Sequence, residues 1–299
     1  VSASWIGVDW GSTNVRLWAL DAAGEVIGTR TAPQGGEHLT AADYEGILIG
    51  LAADFLPGSG TVPVIISGMA GARQGWFEAP YRTVPCAVAG EGAIAVPTED
   101  GRIAVRIVSG LSQSDPPDVM RGEETQIAGL VAGSPEFDGI VCLPGTHSKW
   151  VRVQGGRVEW FRTLMTGELF ALLSERSVLR HSVGEGWSDA AFDAGVRAAL
   201  ADPDALMPGL FALRSEALLG DLDGGNARAR LSGLLIGAEL SAMRTAWTAY
   251  PVAIVASAAL ARRYEAALAP HGAQVTRCDG EALTLAGLRA NRAILEAKP

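Results

Sequence analysis

The chain has 299 residues, of which 48% are hydrophobic and 19% charged, and a formal net charge of −9; this excludes a disordered chain and leaves room for two lobes of α/β or α+β type. Lys and Arg are scattered rather than clustered, so neither a nucleic-acid backbone nor an anionic membrane is an expected partner. Cys86, Cys142 and Cys278 form no CxxC pair, which argues against a disulfide framework or zinc ribbon and for a reducing, cytoplasmic setting.

No charged-then-apolar leader opens the chain, and the apolar stretch 252–261 is too short to span a bilayer. Residues 5–10, 15–20 and 25–31 read as an antiparallel three-stranded meander, followed by a helix over 41–55, a strand over 62–67, a Gly-rich segment and a strand over 103–108. A Pro-bearing loop then leads into a helix whose first turn carries Glu123 and Glu124, acids that suit the helix dipole.

The segment "IVCLPGTHSKWVRVQGGRVEWFRTL" repeats the opening pattern of strand, Gly-hydroxyl turn, strand, Gly turn and strand, with Gly145 matching Gly11. Helices follow at 167–178, 189–200, 208–219 and 227–250, then a strand at 251–256, a helix at 258–269 and a closing helix near 283–297. Gly233 and Gly237, four apart in "LSGLLIGAEL", give one helix face a packing role.

Turns of glycine and small hydroxyl residues gather backbone N–H groups into an anion-binding nest. Gly11, Ser12, Thr13 and Asn14 form one candidate phosphate cradle; Gly145, Thr146, His147 and Ser148 form the second. Asp9, at the strand end before the first cradle, is the candidate Mg²⁺ carboxylate, in keeping with that ion's oxygen ligands and retained waters. No P-loop, dinucleotide fingerprint, HExxH or GxSxG occurs.

In order, "DWGSTNVR", "GMAGARQGWFEAPY", "MRGEETQ", "PGTHSKWV", "FRTLMTGEL" and "LSGLLIGAEL" closely resemble the 2-dehydro-3-deoxygalactonokinase family, sugar-acid kinases with the actin-like ATPase fold of hexokinase and Hsp70. The resemblance covers nearly the whole chain. It implies an α/β, ribonuclease H-like protein of two lobes, each with a mixed five-stranded sheet, and ATP-dependent phosphorylation of 2-dehydro-3-deoxy-D-galactonate at its 6-hydroxyl. The expected lobes are 1–109 and 110–282, with 283–299 returning to the first; a homodimer is also expected. The alternatives are a kinase for another 2-keto-3-deoxy acid and a nucleotide-dependent sensor without catalysis.

Phosphoryl transfer is mainly positioning and charge stabilisation. Related kinases open a helix with a carboxylate shortly before the second phosphate hairpin, so the base is Glu123 or Glu124, with Glu124 favoured. Lys149 supplies a point charge near the phosphate, and His147 is a donor to phosphate or substrate. The substrate's carboxylate points to Arg121, Arg162 and Arg73, while Trp76 and Tyr81, with Glu78, form an aromatic wall for a polyol. Thr166 and Glu168 either cap a helix or meet substrate. For adenosine, "VAIVASAALARRYEAAL" fits by position, although its turn has Ala256 and Ser257 where related kinases tend to have Gly.

Overall fold

A computed structural model describes residues 2–90 and 92–297. In chain order its elements are β1 (Trp5–Trp10), β2 (Val15–Leu20), β3 (Val26–Ala32), α1 (Asp43–Ala52), β4 (Val62–Gly68), β5 (Arg82–Thr83), β6 (Cys86–Ala87), β7 (Ile94–Val96), β8 (Ile103–Ile107), β9 (Leu111–Ser114), β10 (Pro117–Met120), α2 (Glu123–Gly133), β11 (Gly139–Leu143), β12 (Ser148–Gln154) and β13 (Arg157–Leu164). There follow α3 (Thr166–Glu175), α4 (Asp189–Ala201), α5 (Leu206–Leu219), α6 (Gly224–Ala242), α7 (Arg244–Ala249), β14 (Val252–Ala256), α8 (Ala258–Leu268), β15 (Val275–Asp279) and α9 (Gly280–Glu296).

Contacts divide the chain into two units. The first is Val1–Phe137 with Val153–Trp160 and Gly280–Pro299; the second is Asp138–Arg152 with Phe161–Asp279. Position 109, the expected end of the first lobe, thus falls inside the first unit, between β8 and β9.

The first unit carries a sheet of order β3-β2-β1-β4-β8-β7. β1 runs antiparallel to β2 and parallel to β4, and a central strand covered on both faces is apolar nearly throughout. Ile6, Val8 and Trp10 face a core shared with Tyr44 and Leu48 of α1, while Trp5, Trp18 and Ile65 face Leu288 of α9. In the second unit β11, β14 and β15 are parallel neighbours; the part of β13 that belongs to the first unit pairs there with β6, Val158 opposite Cys86.

The sheets therefore hold six, three and six strands rather than five per lobe. The additional strands are short: β5 and β6 have two residues each, β7 three, and β9 and β10 four each, and runs of two or three are too few to show a period in sequence. The helix read over 227–250 is two helices, α6 and α7, separated at Met243, whose ψ of 14° leaves the helical basin. Among the described residues, no helix is long and apolar enough to cross a membrane.

Two helix pairs cross through glycine. In the first unit a Cβ on Gly129 of α2 would overlap the Leu283 carbonyl oxygen, and one on Gly287 of α9 would overlap the Thr125 carbonyl oxygen. In the second unit Gly233 and Gly237 of α6 lie on the Phe192 and Val196 carbonyls of α4, which is the packing role expected of them.

Candidate active site

The first unit holds the β1–β2 turn by its carbonyls. The N–H groups of Gly36, Glu37 and Gly35 donate to the oxygens of Gly11, Ser12 and Thr13 at 2.9, 3.0 and 3.1 Å. The turn's N–H groups at Ser12 and Thr13 take no part in that docking and its residues 12–14 are exposed, the condition for an anion nest. Gly35 is obligatory here, because a Cβ would overlap the Ser12 and Thr13 backbone.

Asp9 sits opposite Arg16 on β2 and beside Ser67 on β4. Burial pushes its carboxyl up to about 6; Arg16 pulls against this, and Glu123 and Glu281 add to it. Among the described residues there is no set of three or more His, Cys, Asp or Glu able to hold a metal. A lone acid at a strand end fits a Mg²⁺ ion bound through one carboxylate, waters and phosphate oxygens.

Gly122, at φ 106°, makes the turn into α2, a conformation glycine takes without strain. Glu123 Oε2 accepts the Arg121 N–H at 3.2 Å. Glu124 is buried; its Oε2 accepts the Gly122 N–H at 2.6 Å and its Oε1 the Thr125 hydroxyl at 3.3 Å. The Thr125 oxygen lies 2.6 Å from that of Ser67, so a chain of two hydroxyls runs from Ser67 on β4 through Thr125 on α2 to the carboxylate. Burial first, then the neighbouring charge of Glu123, pushes Glu124 up to about 7 against two backbone N–H groups and Arg121. Such a value suits a proton acceptor near neutral pH.

Arg121 lies 4.4 Å above the Tyr81 ring and donates through Nη2 to the Ala79 carbonyl at 2.7 Å. Its Nε and Nη1 are buried without a partner among the described residues, and unpaired buried donors are costly until an acceptor arrives. Arg73 is exposed in the same Gly-rich segment. Trp76 stacks on Tyr44 at 6.1 Å and packs against the first unit's core, so its main contact is with that core.

In the second unit the β12 hairpin docks on the start of α3. Glu168 N–H donates to the Thr146 carbonyl at 2.9 Å, and a Cβ on Gly167 would overlap the Gly145 carbonyl. His147 Nε2 lies 2.6 Å from Glu168 Oε2, which gives each an intramolecular partner. Thr166 donates its hydroxyl to Glu239, so neither Thr166 nor Glu168 caps α3 through its side chain. Lys149 is buried, and Arg162 donates to the Phe161 carbonyl at 2.9 Å.

A cavity of about 340 Å³ opens beside this hairpin, lined by Gly145, Thr146, Gly167, Phe170, Ser232 and Arg263, among others. Its α8 contribution is Leu260, Arg263 and Tyr264; Ala256 instead lines a separate groove with Asp279, and Ser257 lines neither. The segment expected for adenosine is therefore at the cavity, but one to two helical turns beyond the residues singled out in the sequence. Two features escaped sequence reasoning: Gly35–Gly36, signalled only by a glycine doublet, and Glu239, the one acid of α6.

A model of the 2-keto-3-deoxy-galactonokinase family matches residues 9–291. A relative from Rhizobium meliloti (strain 1021), named as a probable 2-dehydro-3-deoxygalactonokinase, is 40% identical over 291 residues, 95% of this chain and 94% of its own. The 2-dehydro-3-deoxygalactonokinase of Escherichia coli (strain K12) is 36% identical over 294 residues, 97% of each chain. A crystal structure from Sinorhizobium meliloti, named for the same enzyme, is 39% identical with a TM-score of 0.89, covering 97% of this chain and 99% of that one. Over nearly its whole length, the chain belongs to the 2-keto-3-deoxy-galactonokinase family.

Proposed function

We propose that this protein transfers the terminal phosphoryl group of ATP to the 6-hydroxyl of 2-dehydro-3-deoxy-D-galactonate in galactonate breakdown, its two units being the lobes of an actin-like ATPase with one phosphate hairpin each. The observation that carries the mechanism is Glu124, a buried carboxylate at the start of α2 whose affinity for a proton is raised to about pH 7.

Glu124 takes the proton of the attacking hydroxyl, which sharpens that oxygen as a nucleophile. Arg121, two residues before α2, holds the substrate carboxylate with donors that have no partner among the described residues. The Gly11–Asn14 and Gly145–Ser148 turns bind phosphate oxygens through backbone N–H groups, and the cavity beside Gly145 takes the nucleoside. Asp9 is the residue that would hold Mg²⁺, which would supply charge neutralisation at the transferring phosphoryl group.

A coupled assay of ADP release with the keto-deoxy acid tests the reading directly; nucleotide binding without sugar-dependent turnover refutes it. The galactonate-derived epimer is expected to turn over faster than the gluconate-derived one, and the reverse preference assigns the enzyme to the other acid. Arg121→Lys is expected to raise KM for the sugar acid by about 10- to 100-fold, as the loss of a charge-assisted hydrogen bond implies, and to leave KM for ATP unchanged. Equal changes in both KM values argue against a carboxylate contact at Arg121.

A further inference from the structure

Glu239 lies near the end of α6, almost wholly enclosed, and collects hydrogen bonds from three other elements of the second unit. Trp150 of β12 donates its indole N–H to Oε1 at 2.8 Å. Thr166, the first residue of α3, and Tyr264 of α8 both donate to Oε2, the latter at 3.0 Å. Tyr264 is in turn 3.1 Å from the hydroxyl of Ser148, the last residue of the second phosphate turn.

A carboxylate is an expensive group to place in a core, and a fully satisfied buried network fixes the elements that enter it. If the only need were to join four elements, apolar side chains would serve as well. The donors here have another property: Thr166 and Tyr264 both line the cavity beside Gly145, and the same helix that carries Glu239 contributes Ser232, Leu235 and Ile236 to it.

We infer that Glu239 is the positioning residue of the nucleotide site, holding the Ser148 end of the phosphate hairpin, the start of α3 and Tyr264 of α8 in the one arrangement that leaves the cavity open for a nucleoside and its phosphates. The inference rests on the reading of that cavity as the ATP site. Because the indole can only donate, Oε1 must accept, and Oε2 fixes the hydrogen direction at Thr166 and Tyr264. Glu239→Gln keeps the volume and the Trp150 bond but presents an N–H₂ to both hydroxyls, so each must reverse from donor to acceptor.

The test measures the affinity of a non-hydrolysable ATP analogue, both KM values and Tm for the wild type and for Glu239→Gln. The expected result is an analogue Kd and an ATP KM raised by about 5- to 20-fold, the range set by one or two misdirected buried hydrogen bonds, with the sugar-acid KM within about twofold. An unchanged analogue Kd, or equal rises in both KM values, overturns the inference. Should Glu239→Gln fail to fold, Tyr264→Phe removes a single link; a Kd raised by about threefold or more supports the inference and an unchanged Kd overturns it. Ala171→Trp, at the cavity wall, separates the two levels. If it leaves the analogue Kd unchanged, the cavity is not the ATP site and the inference falls with that reading. If it weakens binding while Glu239→Gln does not, the inference alone falls.

Discussion

Replacing Glu124 by Gln is expected to lower kcat by about 10²- to 10⁴-fold, the contribution of a positioned base, and at the same time to stabilise the free protein at pH 8. The two effects have one cause. Glu124 is enclosed, faces the charge of Glu123, and is supported by backbone N–H groups and Arg121 too weakly to offset burial, so its proton affinity rises from the ordinary 4.5 to about 7. Below pH 4.5 it is neutral in folded and unfolded chains alike and costs nothing. As pH rises toward 7 the unfolded chain releases the proton first, so folding loses about 1.4 kcal/mol per unit of pH, reaching about 3 kcal/mol by pH 8.

Gln carries no such penalty. Its amide oxygen can still accept the Gly122 N–H, and its nitrogen can donate to Thr125 where the carboxylate accepted. Thermal unfolding of Glu124→Gln should therefore match the wild type near pH 4.5 and exceed it at pH 8 by several degrees, a shift of about 2 to 3 kcal/mol after the lost helix-dipole attraction is allowed for. Glu123→Gln, at a partly exposed site, is expected to keep kcat within about tenfold and to show no comparable gain. Loss of turnover in Glu123→Gln with Glu124→Gln still active would reverse the assignment. Activity in both would remove the base from α2 altogether.

The contrast between these two acids marks how far the sequence could be read. Both stood out because acids before an apolar helical run mark a helix start, but which one turns inward depends on the Gly122 turn and on Ser67, 58 residues from Thr125 in the chain. The two hairpins were legible because a Gly-hydroxyl turn between β-branched runs is a local signal repeated once. What pins them was not: Gly35–Gly36 reaches the first turn from more than 20 residues further along the chain, and Gly167 reaches the second through the fold of α3. Ala256 and Ser257 were picked out by position in a turn, whereas the cavity is lined by the next turns of α8, because a helix presents side chains to a neighbour every three to four residues along its length. Nothing in "LSGLLIGAEL" singles out Glu239; that it meets Trp150, Thr166 and Tyr264 is tertiary information.

The crossing of α2 and α9 gives the second large effect, in Gly287→Ala. The added methyl would fall on the Thr125 carbonyl oxygen and carbon, rigid backbone that cannot rotate aside as a side chain could. α9 must back away from α2, losing the contact of Leu288 with Trp5, Trp18 and Ile65, or α2 must move and take Glu124 with it. Overpacking of this kind costs about 1 to 3 kcal/mol, against a gain of at most about 1 kcal/mol from replacing glycine in a helix interior. A displacement of the base by about 1 Å is enough to lower kcat by about 10²-fold. Gly133→Ala is the control, at the end of the partner helix α2 with nothing within 4 Å of its Cβ, and it should be neutral or slightly stabilising with full activity. If Gly287→Ala matched that control in both Tm and kcat, the glycine crossing would not be what holds α2, and with it Glu124, in place.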